Sequence, residues 1–273
     1  HLLGSLTDTS LRWANASEVS VFAGALDAPI AIALSADGST LAESITSGSS
    51  GDTLLGALDR VAGGAPVAPL SARAPHSCQN FAVAYSRYFR SAYAIGDDDA
   101  VTHARTGGVW RYSLDAPSWI LLPTTVAVDH PIAATVSFRD GGLYVLDETV
   151  VSGALVARLL RFDALRGGGA VLGTWPRQGI FDQLWLEIDH EGYVLLVASS
   201  AAESRGKAFR IRVDGSSPIV AAIYSRPSPM AWPLLVDGRG IVSYRRQASG
   251  AVSVTREPKQ SVSVAWVDLG EVL

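Results

Sequence analysis

Cysteine, lysine, net charge and long apolar runs are all scarce in this chain. It has one cysteine, Cys78, among 273 residues. A single thiol excludes an internal disulfide, a thiolate zinc cluster and CxxC redox chemistry. Cys78 stands just ahead of an apolar run and reads as a small buried hydrophobe rather than a nucleophile. Lysine occurs only at Lys207 and Lys259, charged residues make up 18% of the chain, and the net charge is -4. No stretch concentrates basic side chains, so the electrostatic footprint of a nucleic-acid binder is missing. No apolar run is long enough to span a membrane as a helix. Residues 1–5 lack the basic and apolar regions of a signal peptide. HExxH, a phosphate-binding glycine loop followed by Lys-Ser/Thr, and Gly-x-Ser-x-Gly are also absent from the sequence.

What is present is apolar and glycine-rich. Hydrophobic residues reach 48%, and glycine occurs 26 times. Low charge with high apolar content marks a globular chain, since such a sequence buries enough surface to offset chain entropy. No linker or low-complexity stretch divides it, so the expectation is one domain over residues 1–273. Asn15-Ala16-Ser17 fits the short N-glycosylation pattern, which also arises often by chance.

The organisation lies in a repeat. An apolar run, a tight turn and a second apolar run recur with turns near Asp37, Arg87, Asp140, Asp189 and Asp237. The spacing between turns stays near fifty residues. Asp and Gly between apolar runs signal a hairpin, because both tolerate the positive φ that primed turns need. Between these hairpins a strand ending in Asp recurs, at Asp59, Asp115, Asp163 and Asp214, with Asp268 as a fifth member. Phe209, Ile211 and Val213 alternate with Arg210 and Arg212, the period of a strand with one wet face. Residues that recur in every unit read as turn formers, because an active site needs asymmetry. Two patterns interleaved give four strands per unit.

This order of elements resembles NHL-type and YVTN-type β-propeller repeats, at class level and over nearly the whole chain. The resemblance implies an all-β fold, a β-propeller of about five four-stranded blades. Residues 11–13 and 19–22 would complete the C-terminal blade and close the ring, which removes exposed sheet edges. Six blades is the alternative, if residues 243–268 supply extra strands.

Propellers place ligands on loops leading into the innermost strands. Here those loops carry Asp27, Asn80, Asp129 with His130, and Asp182, and Trp232 falls in the corresponding fifth region. The first expectation is a non-enzymatic binding module that presents this ring to a protein or glycan outside the cytoplasm. The alternative is a secreted glycoside hydrolase or related hydrolase. In it Asp27, Asp129 and Asp182 supply the paired carboxyls that glycosidic cleavage needs. Asp97, Asp98 and Asp99 are weak candidates for calcium, a hard cation that takes oxygen ligands; no other cofactor is expected. Asp189-His190-Glu191 falls in a second-strand turn, on the face away from the ring. Trp13, Trp110 and Trp266 read as packing between blades, while Trp119, Trp175 and Trp232 have the chemistry to stack on a sugar.

Overall fold

The computed structural model describes the backbone of strands along the chain. It describes side chains chiefly between residues 82 and 222, with gaps, and at 266–273. The strands fall in six antiparallel sheets. The first holds β1 (Leu3–Thr7), β2 (Ser10–Ala14) and β3 (Val19–Phe22). The second holds β4 (Pro29–Leu34), β5 (Thr40–Ile45), β6 (Thr53–Leu58) and β7 (Leu70–Arg73). The third holds β8 (Phe81–Ser86), β9 (Ser91–Gly96), β10 (Gly108–Ser113) and β11 (Ser118–Leu122). The fourth holds β12 (His130–Val136), β13 (Gly142–Val151), β14 (Ala154–Asp163) and β15 (Gly167–Pro176). The fifth holds β16 (Gln183–Ile188), β17 (Val194–Ser200), β18 (Arg205–Asp214) and β19 (Ser217–Arg226). The sixth holds β20 (Leu234–Asp237), β21 (Gly240–Arg246) and β22 (Val252–Pro258). The short β23 (Val267–Asp268) pairs with β19 as a fifth strand. A 3-10 turn, Leu269–Glu271, follows, capped by the Asp268 carboxylate on Gly270 N–H. No helix among the described residues is long and apolar enough to cross a membrane.

Each sheet runs as a meander, and its first strand lies against the first strand of the next sheet, from β1 to β20. The third, fourth and fifth sheets stack face to face. One core packs Tyr93 and Val109 of the third sheet against Val136, Leu143, Val145 and Phe162 of the fourth. The other packs Tyr144, Leu146 and Leu159 of the fourth against Leu186, Leu196, Phe209 and Ile211 of the fifth, together with Phe181 and Leu273. The fourth sheet is therefore buried on both faces. This explains why β13 opens on a continuous apolar run, Leu143 to Leu146, rather than alternating. It is the all-β, blade-like architecture that the repeat implies at class level.

Three finer expectations change. The third strand of the last hairpin sheet is β22, and the segment ending in Asp268 joins β19 instead. The strands β1 to β3 form their own sheet, and no hydrogen-bonded pairing joins them to β20–β22 among the described residues. Val213 is exposed while Phe209 and Ile211 are buried, because β18 runs out of the core before its end.

The turns differ from two-residue primed turns as well. The β12–β13 loop is longer, with Ser137 N–H donating to Gly142 O and Gly141 N–H to Ser137 O, and Gly141 takes the positive φ of 69°. At the matching turn of the fifth sheet, Gly192 has φ 87° and its carbonyl accepts from Ser137 Oγ at 2.8 Å. A Cβ there would stand 2.8 Å from the Phe138 ring and 3.0 Å from Arg139 Cβ. Glycine at 192 thus serves both the turn and the close approach of two sheets.

Candidate active site at the head of the fourth sheet

Pro131 has no N–H to give the ladder, and the β12–β13 register slips between Pro131 and Ala133. The N–H groups of Asp129 and His130 need an acceptor from elsewhere. Asp147 of β13 supplies it: its Oδ1 accepts from Asp129 N–H at 3.1 Å and His130 N–H at 2.8 Å. Its Oδ2 accepts from Arg158 Nε at 3.0 Å and from Arg158 Nη2. Arg158 is the register partner of Asp147 on β14, so strand pairing alone sets guanidinium against carboxylate. The Asp147 side chain is fully shielded. Burial pushes its carboxyl up from the ordinary range, and Arg158 and the two backbone N–H groups oppose that push. Asp147 is an internal anchor, out of reach of a ligand.

Asp129 is the accessible partner. Thr149 Oγ1 donates to its Oδ2, and Arg158 Nη2 lies 3.3 Å from the same oxygen. Glu148 has been brought alongside by register, directly opposite His130 on the neighbouring strand. Its Oε1 accepts from Arg177 Nε at 2.9 Å. Arg177 is itself fixed, donating from Nη1 to Leu273 O at 2.6 Å and from Nη2 to Phe181 O at 2.7 Å. Asp129, His130, Glu148, Thr149, Val150 and Leu155 line one cavity of about 320 Å³. Two carboxylates, each gripped by a different guanidinium, thus share a cavity with an imidazole. Histidine is the side chain best suited to both take and give a proton near neutral pH. The set has the components of acid–base hydrolysis.

The structure brings together two of the residues singled out in the sequence, Asp129 and His130. Asp27, Asn80, Asp182 and Trp232 lie outside the described residues, as do Asp97, Asp98, Asp99, Cys78 and the glycosylation pattern at Asn15. The backbone at β4 nevertheless repeats the local geometry: its register slips between Pro29 and Ala31, as at Pro131 and Ala133. Among the described residues, no three His, Cys, Asp or Glu side chains gather as a metal site requires. Sequence reasoning missed Asp147, Glu148, Thr149, Arg158 and Arg177. A signal for three of them exists, since Asp147-Glu148-Thr149 interrupts a run from Leu143 to Val151 that is otherwise apolar.

Other readings resolve locally. Asp163 is the turn former expected, its Oδ1 accepting from Leu165 and Arg166 N–H at 2.9 and 2.8 Å. Asp189 and Glu191 pair with Arg210 in their turn rather than offering a metal site. Trp110 is buried as expected for packing. Trp266 is corrected to an exposed position, 41% accessible, beneath the Arg212 guanidinium. Trp175 is partly buried, packed against the core and Gly270.

No protein-family model and no curated protein matches the chain. Solved structures do. A periplasmic gluconolactonase of Pseudomonas aeruginosa is similar at 13% identity and TM-score 0.43, covering 82% of this chain and 69% of its own. The Dos1 propeller is similar at 11% identity and TM-score 0.48, covering 91% and 72%. A candidate 6-phosphogluconolactonase from Bacteroides uniformis is similar at 12% identity and TM-score 0.47, covering 94% of each chain. The likeness is to β-propeller proteins as a class. The expectation of a non-enzymatic binding module is corrected here. Two of these three structures carry the names of lactonases rather than of binding modules, and the cavity is lined by Asp129, Glu148 and His130.

Proposed function

We propose that the chain is a hydrolase of a sugar-sized substrate, acting through Asp129, Glu148 and His130. The observation that supports it most is the shared cavity, in which Arg158 and Arg177 each hold one carboxylate beside the imidazole. At about 320 Å³ the cavity is at the small end of ligand sites, fit for one sugar ring. A carboxylate facing a guanidinium is suited to act as base or nucleophile. The proton donor is then His130, which gives its proton to the departing oxygen while a carboxylate takes one from the attacking water. A glycosidic bond is the first reading, because its cleavage draws on paired carboxyls. A cyclic ester is the second, favoured by His130, since water attack on an acyl carbon runs with a single imidazole base. The scaffold that goes with this reading is one propeller domain over residues 1–273, with the six sheets as its blades. An extracytoplasmic location accompanies it, supported by the low charge and scarce lysine.

A screen of 4-nitrophenyl glycosides and glucono-δ-lactone tests the proposal. Turnover of one of them should fall about 10²–10⁴-fold in both Asp129→Asn and Glu148→Gln. Asp140→Asn, at the far end of the same sheet, should leave it unchanged. Absence of turnover across the screen, or equal rates in the variants, would discard the hydrolase reading.

A further inference from the structure

The hairpin joining β13 and β14 runs past the cavity and ends in a tight apolar tip. Val151 pairs with Ala154, leaving only Ser152 and Gly153 in the loop, at φ 52° and 81°. Positive φ at both central residues is the primed turn whose twist matches the strands. Its side chains are apolar and face water: Val150 is 66% exposed, Val151 52% and Leu155 47%. Val150 and Leu155 are cross-strand partners. Both line the same cavity as Asp129, His130 and Glu148, and Val151 does not. The cavity is therefore amphipathic, with a charged floor and an apolar lip on one hairpin. Large apolar side chains left exposed beside a polar cavity cost solubility, and a ligand that covers them recovers that cost.

We infer that the substrate is amphiphilic: a small polar head enters beside Asp129 and Glu148 while an alkyl or aromatic substituent lies on Val150 and Leu155. This deepens the proposed hydrolase and rests on it for the identity of the polar head. The occupant of the lip is the substrate's own apolar group, because the lip and the floor are walls of one continuous cavity.

Methyl and octyl β-D-glucopyranoside, titrated into the full chain well below micelle formation, separate the two parts of the inference. Isothermal titration should show the octyl compound binding at least about tenfold more tightly than the methyl one, given partial cover of two apolar side chains. The double variant Val150→Ser/Leu155→Ser should erase that preference with its unfolding midpoint unchanged, and Val151→Ser should keep it. That pattern upholds the inference even where no substrate of the screen is turned over, an outcome that would sink only the hydrolase reading. Equal affinity for the two compounds, or binding of neither, overturns the inference and leaves any measured turnover standing. Light scattering that finds a dimer, made monomeric by the same double variant, also overturns it, since a second copy would then cover the lip.

Discussion

The two ends of the fourth sheet both hold a carboxylate against an arginine, and they differ in whether the arrangement recurs. At the β12–β13 turn, Asp140 accepts from Gly142 N–H at 3.0 Å, Tyr144 Oη at 2.7 Å and Arg161 Nε at 3.2 Å. The turn of the fifth sheet repeats this logic. There Asp189 accepts from Glu191 and Tyr193 N–H at 2.9 Å each and from Arg210 Nη2 at 2.5 Å, and Arg139 and Arg210 both lie 4.4 Å from the Tyr193 ring. Arg161 and Arg210 both sit on the third strand of their sheets and reach back to the first hairpin. That is a device for building a sheet. At the other end, Asp129, Asp147, Glu148, Arg158 and Arg177 form a cluster around a cavity, with no counterpart among the described residues. Chemistry alone does not separate the two ends; repetition and access to a cavity do.

Removing one arginine from each end breaks the comparison most sharply. Arg158→Met strands the fully shielded Asp147 carboxylate, and loss of one member of a buried pair costs about 3–5 kcal/mol. Arg161→Met removes a pair whose side chains are 35% and 39% exposed, and should cost under about 1 kcal/mol. Urea unfolding of the two variants measures the difference. Near-equal losses would mean that the head of the sheet is anchored by something other than the Asp147–Arg158 pair.

The next largest effect falls between two sheets. Gly192→Ala forces a side chain onto φ 87° and drives a methyl against Phe138 and Arg139. Strain and overpacking together should cost about 2–3 kcal/mol. Gly153→Ala provides the comparison, with a similar φ of 81° and open space around the new methyl. It should cost only about 1 kcal/mol, from backbone strain alone. Equal losses in thermal unfolding would show that Gly192 is needed for its turn and not for the approach of its neighbour.

Four of the five inner hairpins were legible because their signals are local: Asp and Gly between apolar runs make a turn wherever the chain goes next, while the hairpin at Arg87, which has neither, showed only in the spacing of its apolar runs. The strand β22 and the pairing of Val267–Asp268 with β19 were not, because partner choice is a long-range event that no local pattern encodes. Asp129 and His130 stood out as polar residues at the head of an apolar strand. Glu148 and Arg158 did not, since only register places one opposite His130 and the other opposite Asp147. Arg177 comes from a loop beyond β15 and reaches Glu148 across 29 residues of sequence. Both-face burial of the fourth sheet also erased the alternation from which strand faces are ordinarily read.

Glu187 sharpens the comparison from outside it, as a carboxyl with no arginine partner among the described residues. It lies on β16, partly buried, opposite Leu195, which in turn faces Arg210 on β18. Arg210 is committed to Asp189 and Glu191. Desolvation pushes the Glu187 carboxyl up to about 8. In the unfolded chain the group titrates near 4.5. Between these values the native state holds a proton that the unfolded state has released, so stability falls as pH rises from about 4.5 to about 8 and is flat outside that window. Residual water contact at a partly buried site screens the charge, which holds the effect to about 1–2 kcal/mol rather than the full value of the shift. Glu187→Gln has no such proton to lose. Its stability relative to the parent chain should therefore rise by that amount between pH 5 and pH 8.5 in urea unfolding. A parallel course for the two proteins would mean that Glu187 is as well solvated in the folded chain as in the unfolded one.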